Sequence, residues 1–329
     1  MTEPNTNPAS PPASDPPGPP QDNRPLWKRI VPFLVAIALL AWLLHGLDLQ
    51  AFAARIRAVN YLGFLGSCAL FVVMLLSADS VATSFVYRRT VCAISFRELF
   101  VIRGASYFPS LLNHHVGQAW LTWYLSRAYR APLWRVAGAT LLVYATTFAS
   151  LFLFGGVSLL FNRTEAHWLA PLLAAATVAG LGYLAVIRAR PAFLAKRQVL
   201  GPLFDAGIRG HFEALALRIP HVLVLFGGTW IPFFFFGVKI PPSAAFAYVP
   251  VLMVVAALPI TPQGVGTRDW FAKHYFSCYG PGTVDQQAAA VVAATLSFAA
   301  ATFLLQAILS LLLMHRAMKA LDPVGTPPR

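Results

Sequence analysis

The sequence predicts an all-α fold: a polytopic membrane helix bundle with about six full spans, two re-entrant helical hairpins and an inverted repeat. Three observations predict it. Of 329 residues, 57% are hydrophobic and only 11% charged, and several apolar runs reach the roughly 20 residues that cross about 30 Å of hydrocarbon. Basic residues collect at alternate ends of these runs, as cytoplasmic loops do. Two segments, around Asn113 and around Pro259, interrupt apolar sequence with residues that a continuous span does not carry.

Taken in order, residues 1–24 are polar and Pro-rich and are expected to form a disordered cytoplasmic tail. The first apolar run starts near Ile30, behind that tail, so no cleavable signal peptide is expected. The membrane domain covers 25–319 and a short tail 320–329. A span runs to about Leu47, an amphipathic stretch from Asp48 to Asn60, and a second span from Tyr61 to about Phe85. Arg88, Arg89 and Arg97 mark the end of that span as cytoplasmic, as Lys28 and Arg29 do for the N-terminus. Spans follow at Val136 to Phe161 and Trp168 to Ile187. The next loop, with Arg188, Arg190, Lys196 and Arg197, is cytoplasmic and leads into an amphipathic helix around Leu203 to Leu217. A span from Ile219 to Val238 and a long one from Val284 to Met314 complete the set.

Charge parity decides the rest. If Ala244 to Gly280 enters halfway, breaks at its Pro/Gly cluster and returns, Arg316 and Lys319 fall on the cytoplasmic side with most of the 25 Lys and Arg residues. Phe96 to Ala128 has the same plan: a short charged run to Leu112, a break at Asn113 to Gly117, and a helix returning from Gln118. Val116-Gly117 and Val265-Gly266 open the two return helices, and Ala-Thr-Leu recurs in the following spans at Ala139 and Ala294. The chain therefore reads as two copies, about 30–161 and 168–314, of span, span, hairpin, span. Three crossings per copy give the copies opposite orientations, the inverted repeat common in transporters.

Leu258-Pro259-Ile260-Thr261-Pro262-Gln263-Gly264-Val265-Gly266-Thr267-Arg268-Asp269 resembles the LPxTPGGxGxRE signature of the lysylphosphatidylglycerol synthase transmembrane region, or flippase-like, family. Leu47 to Phe52, Ser95 to Glu98 and Gly237 to Pro241 also fall where that family has similar residues, and the likeness covers about Ile30 to Arg316. It implies a bacterial inner (plasma) membrane protein with both termini cytoplasmic that handles or moves lipids, or one that accompanies a separate membrane synthase or glycosyltransferase. Gln263 and Asp269 are mild departures from the signature. The first hairpin departs more, offering Asn113, His115 and Gln118 where the family commonly carries charges, so this half of the site is expected to be electrostatically weak. About fifteen residues follow Met314, so the aminoacyl-transferase domain of the bifunctional relatives is not expected.

Arg268 is the sharpest candidate. A cation at membrane depth needs a partner or a wet cavity, and the free N–H groups at the start of the helix from Thr267 would join it in holding a phosphate. The alternative is a structural pair with Asp269 or Asp79. Thr261, Gly264 and Gly266 would bring backbone to a ligand or only let the hairpin pack, while Pro259, Pro262 and Gly117 act as breakers. Asn113, His115 and Gln118 would face this site as hydrogen-bonding groups or satisfy their own hairpin. Asp79 is a counter-ion for Arg103 or Arg268, a proton carrier, or a carboxylate snorkelling to the interface. Arg103 either faces the cavity or sits at the interface. Trp120, Trp123, Tyr124 and Tyr129 are expected to mark a membrane interface.

The net charge of +13 is read as topology, since no soluble basic domain is present to bind nucleic acid. Cys68, Cys92 and Cys278 lie far apart and imply neither zinc nor a disulfide framework, and adjacent histidines make a poor metal pair. No metal or cofactor is expected. No acid pair or nucleophile with a base points to an enzyme. Two functions remain: translocation of an anionic phospholipid or lipid-linked intermediate, or a non-transporting accessory role.

Overall fold

A computed structural model describes residues 26–112, 114–161, 167, 169–257 and 264–321. The tail expected at 1–24, the end of the chain, Asn113 and the stretch containing Pro259, Thr261 and Pro262 lie outside the described residues. The described chain is helical, in the order α1 (Leu26–His45), α2 (Leu49–Arg57), α3 (Tyr61–Thr90), α4 (Phe96–Ala105), α5 (Tyr107–Leu112), α6 (His114–Ala128), α7 (Leu133–Phe161), α8 (Leu169–Ala189), α9 (Ala192–Ala195), α10 (Gly201–Trp230), α11 (Pro232–Phe235), α12 (Pro242–Ala257), α13 (Thr267–Phe276) and α14 (Val284–Leu321).

Five helical segments are long and apolar enough to cross a membrane: α3, α7, α8, α10 continued by α11, and α14. The sixth candidate is the pair Ile37–His45 and Leu49–Arg57, bent through 101°. Asp48 makes that corner: its carboxylate accepts from the amides of Gln50 and Ala51 and starts α2 in a new direction.

Both hairpins form. In the first, Ser95 and Glu98 close a capping box that launches α4, Ser106 ends it, and α5 and α6 complete the turn. The return helix starts at His114, so Val116-Gly117 lies inside it and does not open it, contrary to the expectation. A methyl group on Gly117 would run into Ser110 and the carbonyl of Ser106, so this glycine sets the close crossing of α5 and α6. In the second hairpin, α12 is 16 residues, about 24 Å, too short to cross. The chain resumes through Gly264 and Gly266, at φ 73° and 85°, and restarts at Thr267 as expected.

The two halves exchange partners. Hairpin helix α12 packs along α7, the span that follows the other hairpin, and α4 packs along α14 in the same way. Their second spans, α3 and α10, lie against each other, and Gly228 of α10 is overlaid by the Phe71 ring. This reciprocity is what two copies related by an axis in the membrane plane produce. The separate amphipathic helix at Leu203 to Leu217 is a correction: α10 is kinked at Gly207 (φ 61°, ψ 176°), and its part beyond the kink continues through Pro220 to Trp230 without a break near Leu217. A transmembrane helix tolerates such a proline when neighbouring helices surround it. The expected interfacial aromatics are also partly corrected. Tyr124 is buried and donates to the carbonyl of Ala317 at 2.7 Å, and Trp120, Trp123 and Tyr129 pack against the same core.

Candidate functional site

Two arginine sites form, one per hairpin, with different partners. Asp79 lies on α3 about 16 Å along the axis from its end at Thr90, and is 5% exposed. One carboxylate oxygen accepts from Arg103 Nε of α4 at 2.6 Å. The other accepts from Arg218 Nη1 of α10, and Thr83 donates to it at 3.3 Å. Arg218 Nη2 donates to Thr83 Oγ1 at 3.1 Å. Arg103 spends its remaining donors on Ser106 Oγ at 3.3 Å and on the Gln118 amide oxygen, in the orientation its neighbours require, at 2.9 and 3.1 Å. Three elements, α3, α4 and α10, thus meet at one carboxylate, and α6 joins them through the contact of Gln118 with Arg103.

The charge does not balance. Two guanidinium groups face one carboxylate, an excess of one positive charge among side chains that are nearly all buried. Arg218 is 1% exposed, and its Nε has no hydrogen-bond partner among the described residues. Beside it, His221 Nδ1 is buried and has no hydrogen-bond partner among the described residues. An apolar groove between α7 and α10 flanks this stretch, lined by Leu153, Phe154, Phe212, Leu215, Ile219 and Leu223 among others. A cation excess beside an apolar groove has the polarity of an anionic amphiphile.

The second site is closed on itself. Asp269, fully buried, accepts from the Gly266 amide at 2.9 Å through one oxygen and from Arg268 Nη2 at 3.2 Å through the other. Arg268 also donates to the Thr295 carbonyl at 3.4 Å, and borders a small cavity with Thr229, Phe233 and Leu252. The Thr267 hydroxyl donates to the Gly264 carbonyl at 3.1 Å. Asp269 therefore supplies the negative charge to this helix start and to Arg268 together.

Of the residues singled out in the sequence, Asp79, Arg103 and Gln118 meet in one cluster, and Gly264, Gly266, Thr267, Arg268 and Asp269 in another. Asp79 pairs with Arg103 and not with Arg268. His115 is exposed on α6, whereas Asp79, Gln118 and Arg218 of the first cluster are buried. Arg218 was missed because Pro220 reads as the start of a span, which pushed Arg218 into a cytoplasmic amphipathic helix. The available signal was an arginine and a histidine three residues apart, hence on one helical face, within an apolar stretch. The electrostatic weakness expected of the first hairpin is corrected in the same stroke, since Arg218 brings a charge from the other half of the chain.

Together these features define an all-helical, multi-pass integral membrane protein with a buried ionic cluster between its helices. The chain belongs to the family described as the Lysylphosphatidylglycerol synthase TM region, matched over residues 29–310. No curated protein and no solved structure matches it.

Proposed function

We propose that this protein binds the headgroup of an anionic lipid at Arg103 and Arg218 and translocates the lipid across a bacterial inner membrane, with both termini cytoplasmic. The observation that carries this is the sharing of one carboxylate by two buried arginines from opposite halves of the chain. An unbalanced cation at membrane depth is costly to keep, by about 2.5 to 3.5 kcal/mol on insertion scales, which favours a role beyond packing. The tails of the lipid lie in the α7–α10 groove beside Arg218 while its phosphate bridges Arg103 and Arg218. Rocking of one half against the other, through the α3–α10 contact, alternates access. The charge-balanced Arg268–Asp269 pair holds the second hairpin in shape. An accessory role for a membrane synthase drew its support from a weakly charged first hairpin, and Arg218 removes that support.

The test is leaflet exchange of labelled phosphatidylglycerol in liposomes containing the full chain. Arg218→Gln leaves the Asp79–Arg103 pair neutral, so the protein is expected to stay folded and to lose exchange. Exchange in the wild type no faster than in protein-free vesicles would sink the proposal.

A further inference from the structure

The negative charge that now bridges the two arginines is the protein's own. Arg103 and Arg218 each hold one oxygen of Asp79, so an arriving phosphate and the Asp79 carboxylate compete for the same donors. Each guanidinium nitrogen of Arg103 is engaged, by Asp79, Ser106 or Gln118, and Arg218 sets Nη1 on Asp79 and Nη2 on Thr83, which leaves Nε as the one guanidinium nitrogen of the cluster without a partner among the described residues. A phosphate that bridges the two guanidinium groups meets the nitrogens that now hold Asp79, so it displaces the carboxylate from them.

Losing them leaves Asp79 in a dry setting. The groups that face it are Arg103 from α4, Arg218 and His221 from α10, Tyr107 from α5, Tyr144 from α7, and Thr83 and Tyr87 on its own helix. Once both arginines turn to a phosphate, what remains around the carboxylate is hydroxyl groups and a neutral imidazole. A buried carboxylate without a cation takes a proton.

We infer that headgroup binding is coupled to the uptake of one proton by Asp79. The phosphodiester displaces the carboxylate from Arg103 and Arg218, and the carboxylate accepts a proton from water on the side to which the site is open. Release of the lipid reverses both events, so lipid and proton move together. No other bond changes. The inference rests on the proposed headgroup site and adds the coupling ion to it.

Calorimetric titration of the full chain in neutral detergent with short-chain phosphatidylglycerol tests this, run in buffers of different ionisation enthalpy and at several pH values. The phosphodiester does not titrate near neutrality, so any proton taken up belongs to the protein. The bound state holds the extra proton, and raising the pH therefore weakens binding, by about tenfold per pH unit for one proton. Asp79→Asn is expected to bind the lipid without proton uptake and with a flat pH profile. Wild-type binding without proton uptake would overturn the coupling and leave the headgroup site standing. So would uptake that persists in Asp79→Asn and vanishes in His221→Gln. Absence of lipid binding in the wild type would instead remove the function on which the coupling rests. Dimethyl phosphate, the same charge without chains, separates a lipid site from a free-phosphate site: proton-coupled binding of it but not of the lipid would overturn the proposal.

Discussion

The arginine of the first hairpin, Arg103, reaches across to Asp79 on another helix, where Arg218 from the other half of the chain also arrives. The arginine of the second hairpin, Arg268, reaches its own neighbour Asp269 and the carbonyl of Thr295. Both lie beside a break in a half-membrane helix. They differ in what their removal leaves behind: one site carries an unneutralised positive charge shared between the halves, the other a neutral pair inside one hairpin. On the proposed function, this difference is what separates the hairpin that binds from the one that holds structure.

The largest effect that would break this distinction comes from Asp79. Asp79→Asn removes the anion and leaves two buried guanidinium groups facing each other, which is expected to cost about 3–5 kcal/mol of stability. In thermal unfolding it should fall well below the wild type in zwitterionic lipid and recover in phosphatidylglycerol, whose phosphate stands in for the carboxylate. Equal loss in both lipids would put Asp79 in the same structural class as Asp269.

Arg268→Ala is the matched change in the other hairpin. It leaves Asp269 buried with the Gly266 amide as its donor, and Arg268 is 15% exposed, so the expected cost is lower, about 2–3 kcal/mol. Anionic lipid should not restore it, because what is missing is a cation. The folded fraction should still exchange lipid. Lost exchange at full stability would reverse the assignment of the two hairpins.

How much of this was legible in the sequence follows the same division. The second hairpin could be read because its devices are local: Pro259, Pro262, Gly264 and Gly266 punctuate the helix, and Arg268 and Asp269 are adjacent. The restart at Thr267 and the Arg268–Asp269 contact both stand in the structure. The first site depends on residues 79, 103, 118 and 218, brought together only by packing. Asp79 with Arg103 was among the pairings the sequence allowed. Arg218 was not, because a proline two residues later is locally a helix-start signal, and only burial against α3 carries α10 through it. The break at Gly117 was likewise misplaced, since its glycine serves a helix crossing and not a turn.

A smaller effect compares the hairpins by backbone. Gly264 sits at φ 73°, and a methyl group there would stand 2.9 Å from Ala256 Cα, so Gly264→Ala combines a left-handed strain with a backbone clash. A cost of about 1–3 kcal/mol is expected, without rescue by lipid. Gly117 is helical and its clash is chiefly with the Ser110 hydroxyl, so Gly117→Ala paired with Ser110→Ala should recover part of the loss. No second change of side chain relieves Gly264, whose obstacle is main chain. Thermal unfolding of the three variants distinguishes the two cases.

The smallest expected effect lies where the first hairpin begins. Glu98, exposed at the first turn of α4, accepts from the Ser95 amide at 2.7 Å while Ser95 Oγ accepts from the Glu98 amide at 3.2 Å. The Ser95 hydrogen bonds hold the Glu98 carboxyl below its ordinary value. A carboxyl lowered in the folded state contributes stability that is present above its unfolded value, about 4.3, and lost as the pH falls through the folded one. Ser95→Ala keeps the amide that Glu98 accepts from and removes the hydroxyl, so it should cost about 1 kcal/mol or less at neutral pH and progressively less in acid, as protonation of Glu98 ends the support the hydroxyl gives its carboxylate. Helix α13 has no serine cap: its Asp269 performs the reach-back to Gly266 from a fully buried position. If unfolding of the wild type and Ser95→Ala stayed parallel down to the carboxylate range, Glu98 would be a surface charge, and the likeness between the two helix starts would end at the backbone.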